Sequence, residues 1–371
     1  MEFTVTKADL VRELNLAQGV VEKKTTIPIL SNVLMEASGD RVVLTATDLE
    51  LGIRCSCPAA VKEEGSGTVP AKRLADYVRL LPDGDLTVKF LPNHWAALTC
   101  GRSRTRMAGM SRESYPELPD MPDVLAELPA GLLSSMIVRT SFAISMEESR
   151  FTLNGALLLV RGQGTVMVAT DGHRLAYVES GVPSETLGKP FRVLVPKKAM
   201  PEILKLSQEA GPEASVQLSM NDNHLFLRFG DRLLITRKLT GNFPDYDRVL
   251  PRDKGHVAVL VREEARAAIE RVAQFADERS RSVRLQLQGG EVRIFTSSAE
   301  TGESEEVVTA QYEGPDIDIG FNAQYLLDFL RVTPQERVEL ELKDGKSAGE
   351  LRPGGEDATF KYRYVVMPMR I

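Results

Sequence analysis

The densest run of chemically capable side chains in this 371-residue chain is Ala169-Thr170-Asp171-Gly172-His173-Arg174-Leu175. An aspartate, a histidine and an arginine within four positions could orient a general base, the chemistry of a hydrolase-like enzyme built on Asp171 and His173. An earlier stretch, Ala46-Thr47-Asp48-Leu49-Glu50, shares the Thr-Asp pair but lacks the histidine and arginine. The Thr-Asp pair therefore reads as a recurring strand end and turn. Only Gly172-His173-Arg174 is particular to the later copy, and it suits the rim of a binding groove better than a proton relay.

Other chemistry is poorly supplied. Gly181–Lys189 ends in Gly-Lys like a phosphate loop, but its glycines are too far apart. Pro190 also stands where a Ser or Thr should bind magnesium. Gly-x-Gly-x-x-Gly and His-Glu-x-x-His motifs are missing. The chain has 4 histidines and 3 cysteines. Cys55 and Cys57 would share one strand face with no further ligands in reach, so buried thiols are expected rather than a zinc site or disulfides. No catalytic residue, metal or cofactor is expected.

The elements that must position these residues recur along the chain. Val69-Pro70-Ala71-Lys72, Val195-Pro196-Lys197-Lys198 and Phe321-Asn322-Ala323-Gln324 are spaced by 126 positions (69, 195, 321). Each opens an amphipathic stretch: Leu74/Tyr77/Val78, Met200/Ile203/Leu204 and Leu326/Phe329/Leu330 follow the i, i+3, i+4 spacing of a helix with one buried face. A second helix set carries the stripes Leu10/Leu14/Ala17/Val21, Leu133/Ile137/Thr140/Ile144 and Ala265/Ile269/Val272/Ala276. Each of these precedes a strand pair: Ile29–Met35 with Val42–Thr47, Thr152–Val160 with Thr165–Thr170, and Val283–Leu287 with Glu291–Ser297. Their turns, Ser38-Gly39-Asp40, Gly162-Gln163-Gly164 and Gly289-Gly290, suit hairpins. Further strands begin at Leu86–Phe90, Val216–Met220 and Val338–Leu342. The unit is domain-sized, too long for a solenoid repeat. The expected fold is α+β: three tandem copies of a two-helix, antiparallel-sheet domain, at 1–121, 122–252 and 253–371. Boundaries fall at the proline-rich Tyr115–Pro122 and at Pro251–Gly255.

The net charge of −6 argues against a protein that grips nucleic acid by bulk charge. Cations nevertheless concentrate on the predicted helices, among them Lys7, Arg12, Lys72, Arg73, Arg79, Arg139, Lys197, Lys198, Lys205, Arg262, Arg266 and Arg271. Acids such as Glu13, Asp76, Glu202 and Glu263 are interspersed. Such a surface would tolerate a phosphate backbone without holding it tightly. Without a membrane-spanning run or signal-peptide pattern, a cytoplasmic location is expected. The ending Tyr364-Val365-Val366-Met367-Pro368-Met369-Arg370-Ile371 is apolar, and Met-Pro-Met cannot easily continue a central ladder. A methionine-rich surface there would adapt to several partners.

Taken together, Ala169–Leu175, Asn242-Phe243-Pro244-Asp245-Tyr246, Gly320-Phe321-Asn322 and Tyr364–Arg370 give the whole chain a close resemblance to the bacterial sliding clamps, the beta subunits of DNA polymerase III. The resemblance implies a DNA clamp fold. Two chains would close head to tail into a ring with helices lining the hole and sheets outside. Such a ring encircles duplex DNA without sequence preference, slides, and tethers the replicative polymerase as a processivity factor, an accessory subunit with no chemistry of its own. An acidic total suits a topological link, because weak phosphate contacts permit sliding. The implied partners are a second copy, double-stranded DNA, the polymerase catalytic subunit, a clamp-loader complex and other polymerases and repair proteins bearing clamp-binding peptides. No membrane is involved, and the location would be cytoplasmic and nucleoid-associated.

Residue by residue, the resemblance places the dimer interface at Arg102, Arg104, Thr105 and Met107 on one side and Gln274, Phe275, Glu300, Glu303 and Glu306 on the other. Basic and acidic runs at opposite ends of one chain favour that heterologous contact. Thr105 and Gln274 depart from the family's large apolar groups, so the contact would rely more on charge. The implied partner groove comprises Leu153, Thr170, Gly172, His173, Arg174, Leu175, Pro244, Arg248, Val249, Asn322, Tyr325, Val365, Met367, Pro368, Met369 and Arg370. Leu175, Val249, Val365 and Met367 would take aliphatic anchors of a short peptide, while Arg174 and Arg370 meet its carboxylates or carbonyls. Lys24, Lys72, Arg73, Lys197 and Lys198 would face DNA, and Glu147 departs from a neutral polar contact. The competing functions are the hydrolase above and an interaction scaffold that never meets DNA.

Overall fold

The computed structural model describes residues 1–21, 26–147, 149–161, 164–182, 185–186, 190–355 and 359–370. Lys24, Gly162 and Gln163 lie outside these, as does most of Gly181–Lys189. The chain divides into two compact units, one of residues 1–134 and 198–238, the other of 135–197 and 239–371. Among the described residues there are six α-helices: α1 (Lys7–Val20), α2 (Ala71–Leu80), α3 (Ala130–Thr140), α4 (Met200–Ala210), α5 (Arg262–Val272) and α6 (Ala323–Val332). Helix spacing and strand alternation thus recur three times, as the apolar patterns predict.

In the first unit, Thr6 ends a strand and caps α1, its hydroxyl accepting from the Asp9 N–H at 3.2 Å. Leu10, Leu14 and Ala17 are buried, as are Leu74 and Val78 of α2. One antiparallel sheet has the order Ala60–Glu63, Glu2–Thr6, Asp85–Phe90, Trp95–Cys100, Ser103–Ala108. A second includes, in order, Ala126–Pro129, Ser215–Met220, His224–Phe229, Arg232–Arg237, Leu51–Pro58, Arg41–Thr47, Asn32–Ser38 and Gly65–Pro70. Its strands come from two sequence repeats, joined where Ile53 pairs with Leu234. Arg232 fastens that joint, donating to the Glu13 carboxylate of α1 at 2.6 and 2.9 Å, with Glu13 fully buried.

The second unit holds a 12-stranded antiparallel sheet. Its centre is again a seam between repeats, where Arg174–Ser180 pairs with Phe360–Val366 and Leu175 faces Val365. Continuing a sheet across the repeat boundary removes two strand edges that would otherwise be open. Helices α5 and α6 pack on each other, and Asn322 caps α6 by accepting from the Gln324 N–H at 2.9 Å.

Two predicted strands begin later than expected. Pro28–Ser31 and Phe151–Leu153 are single 3-10 turns, followed by strands Asn32–Ser38 and Gly155–Arg161. Pro28 holds the φ that suits a turn's first position and offers no N–H to a ladder. Likewise Lys197–Ala199 is a 3-10 turn, and α4 starts at Met200 with Pro201 in its first turn. Val21, Ile144 and Ala276 fall just beyond their helices, though Ile144 and Ala276 are still buried. No described helix is long and apolar enough to cross a membrane.

Candidate functional site

The second unit carries an apolar cleft of about 120 Å³, lined by Leu153, Thr170, Gly172, Arg174, Leu175, Pro244, Tyr246, Val249, Val365 and Met367. Four segments converge on it. The 3-10 turn Phe151–Leu153 presents Leu153, and the turn between strands Gly164–Thr170 and Arg174–Ser180 supplies the next four residues. The 3-10 turn Tyr246–Arg248 and its flanks bring Pro244, Tyr246 and Val249, while the end of the last strand brings Val365 and Met367. The floor is continuous with a buried cluster that includes Leu157, Leu159, Phe243 and Leu250. This volume suits one or two aliphatic side chains and is well below the several hundred Å³ of a cofactor site.

The central turn is held by its own side chains. Thr170 donates its hydroxyl to the Arg174 carbonyl at 2.6 Å and accepts from the Gly172 N–H at 3.1 Å. Asp171 Oδ1 accepts from the backbone N–H groups of His173 and Arg174 at 2.9 and 3.1 Å. Gly172 has φ +90°, which a glycine adopts without strain. The Asp171 carboxylate is therefore occupied by the turn and by Arg174, while the His173 ring is exposed and donates no hydrogen bond to Asp171 among the described residues. The catalytic reading of this cluster needs a carboxylate steering the imidazole, and that contact is missing.

Arg174 is held from several sides. Its guanidinium does not stand at the rim awaiting a carboxylate. Nε donates to Asp171 at 3.0 Å, Nη1 to Asp328 at 2.5 Å, and Nη2 to the Phe142 carbonyl at 2.6 Å. The Tyr325 ring lies 4.3 Å from its carbon centre, a cation–π contact. Burial works against the cation, but Tyr364, Asp328 and Asp171 outweigh it and raise its pKa further. Arg174 lines the cleft while its charge is satisfied from within.

The other groove residues divide. The His173 carbonyl anchors the C-terminal arm, residues 367–370, by accepting from the Met367 N–H at 2.9 Å, and the Met369 N–H donates to the Gly320 carbonyl at 2.8 Å. Met367 is 39 % exposed, Pro368 and Met369 are half-buried, and Arg370 is exposed with no ion pair among the described residues. Arg248 is exposed and paired with Asp245 at 2.8 Å. Asn322 is spent as the α6 cap, and the Tyr325 ring lies against Arg174. Sequence reasoning omitted Tyr246 from the cleft. Its ring packs 5.9 Å from Tyr177, and its place in Asn242–Tyr246, beside Pro244, was the available signal.

The expected contact residues elsewhere also divide. Arg102 and Arg104 are exposed on or beside Ser103–Ala108, whereas Met107 is buried in its own unit. Thr105 is half-buried. Gln274 is exposed and bonded to the Glu270 carbonyl at 3.2 Å, and Phe275 is 39 % exposed. Glu306 is already engaged by Arg271 at 2.7 and 2.9 Å, which lowers its pKa, so its charge is largely spent. Glu300 and Glu303 are exposed with no ion pair among the described residues. Lys72 and Arg73 are likewise exposed and unpaired there. Lys198 instead bridges Asp48 and Glu50 at 2.7 and 3.0 Å. Burial disfavours its charge, but those carboxylates outweigh it and raise its pKa. Lys197 contacts the Met146 sulfur, and burial together with the Arg174 charge lowers its pKa. Glu147 pairs with Arg150 at 2.8 Å.

Three family models match the chain in succession: the N-terminal domain of the DNA polymerase III beta subunit over residues 1–119, its central domain over 127–245 and its C-terminal domain over 247–370. The beta sliding clamp of Pseudomonas putida is 36% identical over 376 residues, covering 100% of both chains. That of Chlamydia pneumoniae is 34% identical over 374 residues, covering 100% of this chain and 99% of the relative. Among solved structures, the sliding clamp from Pseudomonas aeruginosa bound to griselimycin has a TM-score of 0.92 at 35% identity, covering 100% of both chains. The clamp from Bartonella birtlesii bound to griselimycin has a TM-score of 0.93 at 30% identity, again covering 100% of both.

Proposed function

Since the chain belongs to the DNA polymerase III beta subunit family of sliding clamps, we propose that it is a DNA polymerase processivity factor acting as a closed dimeric ring around duplex DNA. The observation that carries this reading is a pair of strand edges of opposite charge. Ser103–Ala108 ends its sheet, with Arg102, Arg104 and Arg106 exposed. Gly302–Gln311 pairs along its length with Glu291–Ser298 on one side, but on the other side only Ala310 and Gln311 meet His256–Val261. Residues 302–309 thus keep an open edge that carries Glu303, with Glu300 just before it, neither in an ion pair among the described residues. Antiparallel addition of the basic edge of one copy to the acidic edge of another satisfies both backbones and both charges. Repeated head to tail, it closes a two-membered ring.

Three domains per chain, with limits near 1–121, 122–252 and 253–371, would make six pseudo-equivalent segments of ring. Lys72 and Arg73 supply weak phosphate contacts that permit sliding. The aliphatic cleft takes short peptide segments of the polymerase catalytic subunit and of other replication and repair proteins. The protein acts as a non-catalytic accessory subunit in the cytoplasm, at the nucleoid. Because nothing in this reading hydrolyses a nucleotide, a separate clamp-loader complex opens the ring.

Small-angle X-ray scattering at micromolar concentration tests the assembly. A two-chain mass with a hollow distance distribution supports it, with a dimer that weakens as salt rises because the contact is charged. A compact monomer, or a dimer without a central void, refutes it.

A further inference from the structure

The turn that frames the cleft has a counterpart in the first unit. Thr47 donates to the Leu51 carbonyl at 2.9 Å and accepts from the Leu49 N–H at 3.0 Å, while Asp48 Oδ1 accepts from Glu50 and Leu51 at 3.0 and 2.8 Å. These are the Thr170 and Asp171 bonds repeated. The incoming arm repeats as well, because the Arg237 N–H donates to Glu50 at 2.7 Å as the Met367 N–H donates to His173 at 2.9 Å. Strand pairing agrees: Gly52 faces Ile235 as Leu175 faces Val365. Leu49, with φ +76°, stands where Gly172 has φ +90°.

The side chains differ at one decisive place. In the second unit Leu175 fills the floor from the strand, Tyr246 lines the side with its ring packed against Tyr177, and the cleft remains open above. In the first unit the floor residue is Gly52, and matching Tyr115-Pro116-Glu117-Leu118 to Phe243-Pro244-Asp245-Tyr246 sets Leu118 in the place of Tyr246. Both terminal methyl carbons of Leu118 lie 2.9 Å from the position a Cβ on Gly52 would take. Leu118 and Met121 pack against Phe226, Leu233 and Ile235, and Asp120 pins the segment to Arg54 at 3.2 Å.

We propose that Leu118 is a built-in occupant of a second aliphatic pocket, so that each chain carries two versions of one peptide site, one open and one plugged by its own linker. The ligand class of the latent site is that of the open one, a short peptide with an aliphatic anchor. The inference rests on the reading of the open cleft as such a site. Leu118 does intramolecularly what a partner's anchor does in the second unit, and a linker held this way wins by effective concentration over a free peptide.

The test is crystallographic, with acetyl-leucyl-leucine amide soaked at millimolar concentration into the full-length protein and its Leu118→Ala variant. The wild type should show the dipeptide only in the Leu175/Val365 cleft, and the variant should show a second molecule beside Ile235. Occupancy of the Leu175/Val365 cleft alone in both proteins overturns the latent site and leaves the open-groove reading intact. An empty Leu175/Val365 cleft in the wild type refutes the groove reading itself. Gly52→Leu and Gly52→Leu/Leu118→Ala provide the control should Leu118→Ala fail to fold. Gly52→Leu should lower the melting temperature, and adding Leu118→Ala should restore much of it and reproduce an open cleft for the same soak. Simple addition of the two losses would show that Leu118 is not seated on Gly52, and would overturn the proposal.

Discussion

Arg174 and Asp328 meet at 2.5 Å, tying the turn of the second repeat to helix α6 of the third. Both side chains are largely buried, and Asp171 shares the same guanidinium. Arg174→Ala strands two carboxylates and should cost about 3–5 kcal/mol, the usual penalty for breaking a buried ion pair from one side. Arg174→Lys should recover only part of it, because an ammonium cannot reproduce a fork that reaches Asp171, Asp328 and the Phe142 carbonyl together. Denaturant unfolding of both variants checks this. A rim residue would lose peptide affinity without loss of stability.

Met367 is the exposed wall of the cleft, and its backbone is anchored on His173. Met367→Ala should weaken polymerase peptide binding by about tenfold, the effect of one interface anchor, while leaving the melting temperature unchanged. Deletion from Met367 to Ile371 should abolish polymerase binding and leave the dimer intact, read by calorimetry and sedimentation on the same samples. Normal binding by the deletion variant would remove the cleft from the account.

The pair Lys72 and Arg73 in α2 should behave differently from Lys198, in the turn before α4. Lys72→Glu with Arg73→Glu should reduce affinity for duplex DNA and flatten its salt dependence by about two contacts in the log–log slope, with unchanged stability. Lys198→Ala should act mainly on the fold, costing about 1 kcal/mol, because its half-exposed ammonium serves Asp48 and Glu50. Equal effects of the two changes on DNA binding would contradict this division.

Cys55, Cys57 and Cys100 are all free and buried. Burial pushes the Cys57 thiol up to about 12, with the Glu13 charge adding to it. The folded protein holds that proton where an unfolded chain releases it near 9.0. The unfolded state therefore binds fewer protons above that pH, and stability should be level below it and fall between pH 9 and 12. Cys57→Ala should shrink the alkaline loss. Ellman's reagent at pH 7.5 should find no reactive thiol in the native protein and three after denaturation.

The repeats and the apolar faces of the helices were legible because periodicity is a local signal. Leu10, Leu74, Ile203 and Phe329 are all buried as their spacing requires. Pairing between repeats was not legible. Nothing near Leu51 announces Arg232–Arg237 as its neighbour, nor does Arg174 reveal that Asp328, far along the chain, will claim it. Net charge and residue type could suggest arginines for binding, yet only geometry separates a committed guanidinium from a free one. For the same reason residue type alone did not reveal that Met107 is buried in its own unit or that Glu306 pairs with Arg271. Tyr246 was missed because an aromatic in a proline-flanked turn has no period to reveal which way it packs.

The most direct test of the central claim is topological. Protein loaded onto nicked circular DNA by a clamp loader, then passed over a sizing column at moderate salt, should elute with the DNA. Cutting the circle once should release it completely, because a ring held by enclosure slides off an end. Retention on the linear product would mean that the chain grips DNA by contact, and failure to be retained on the circle would contradict encirclement altogether.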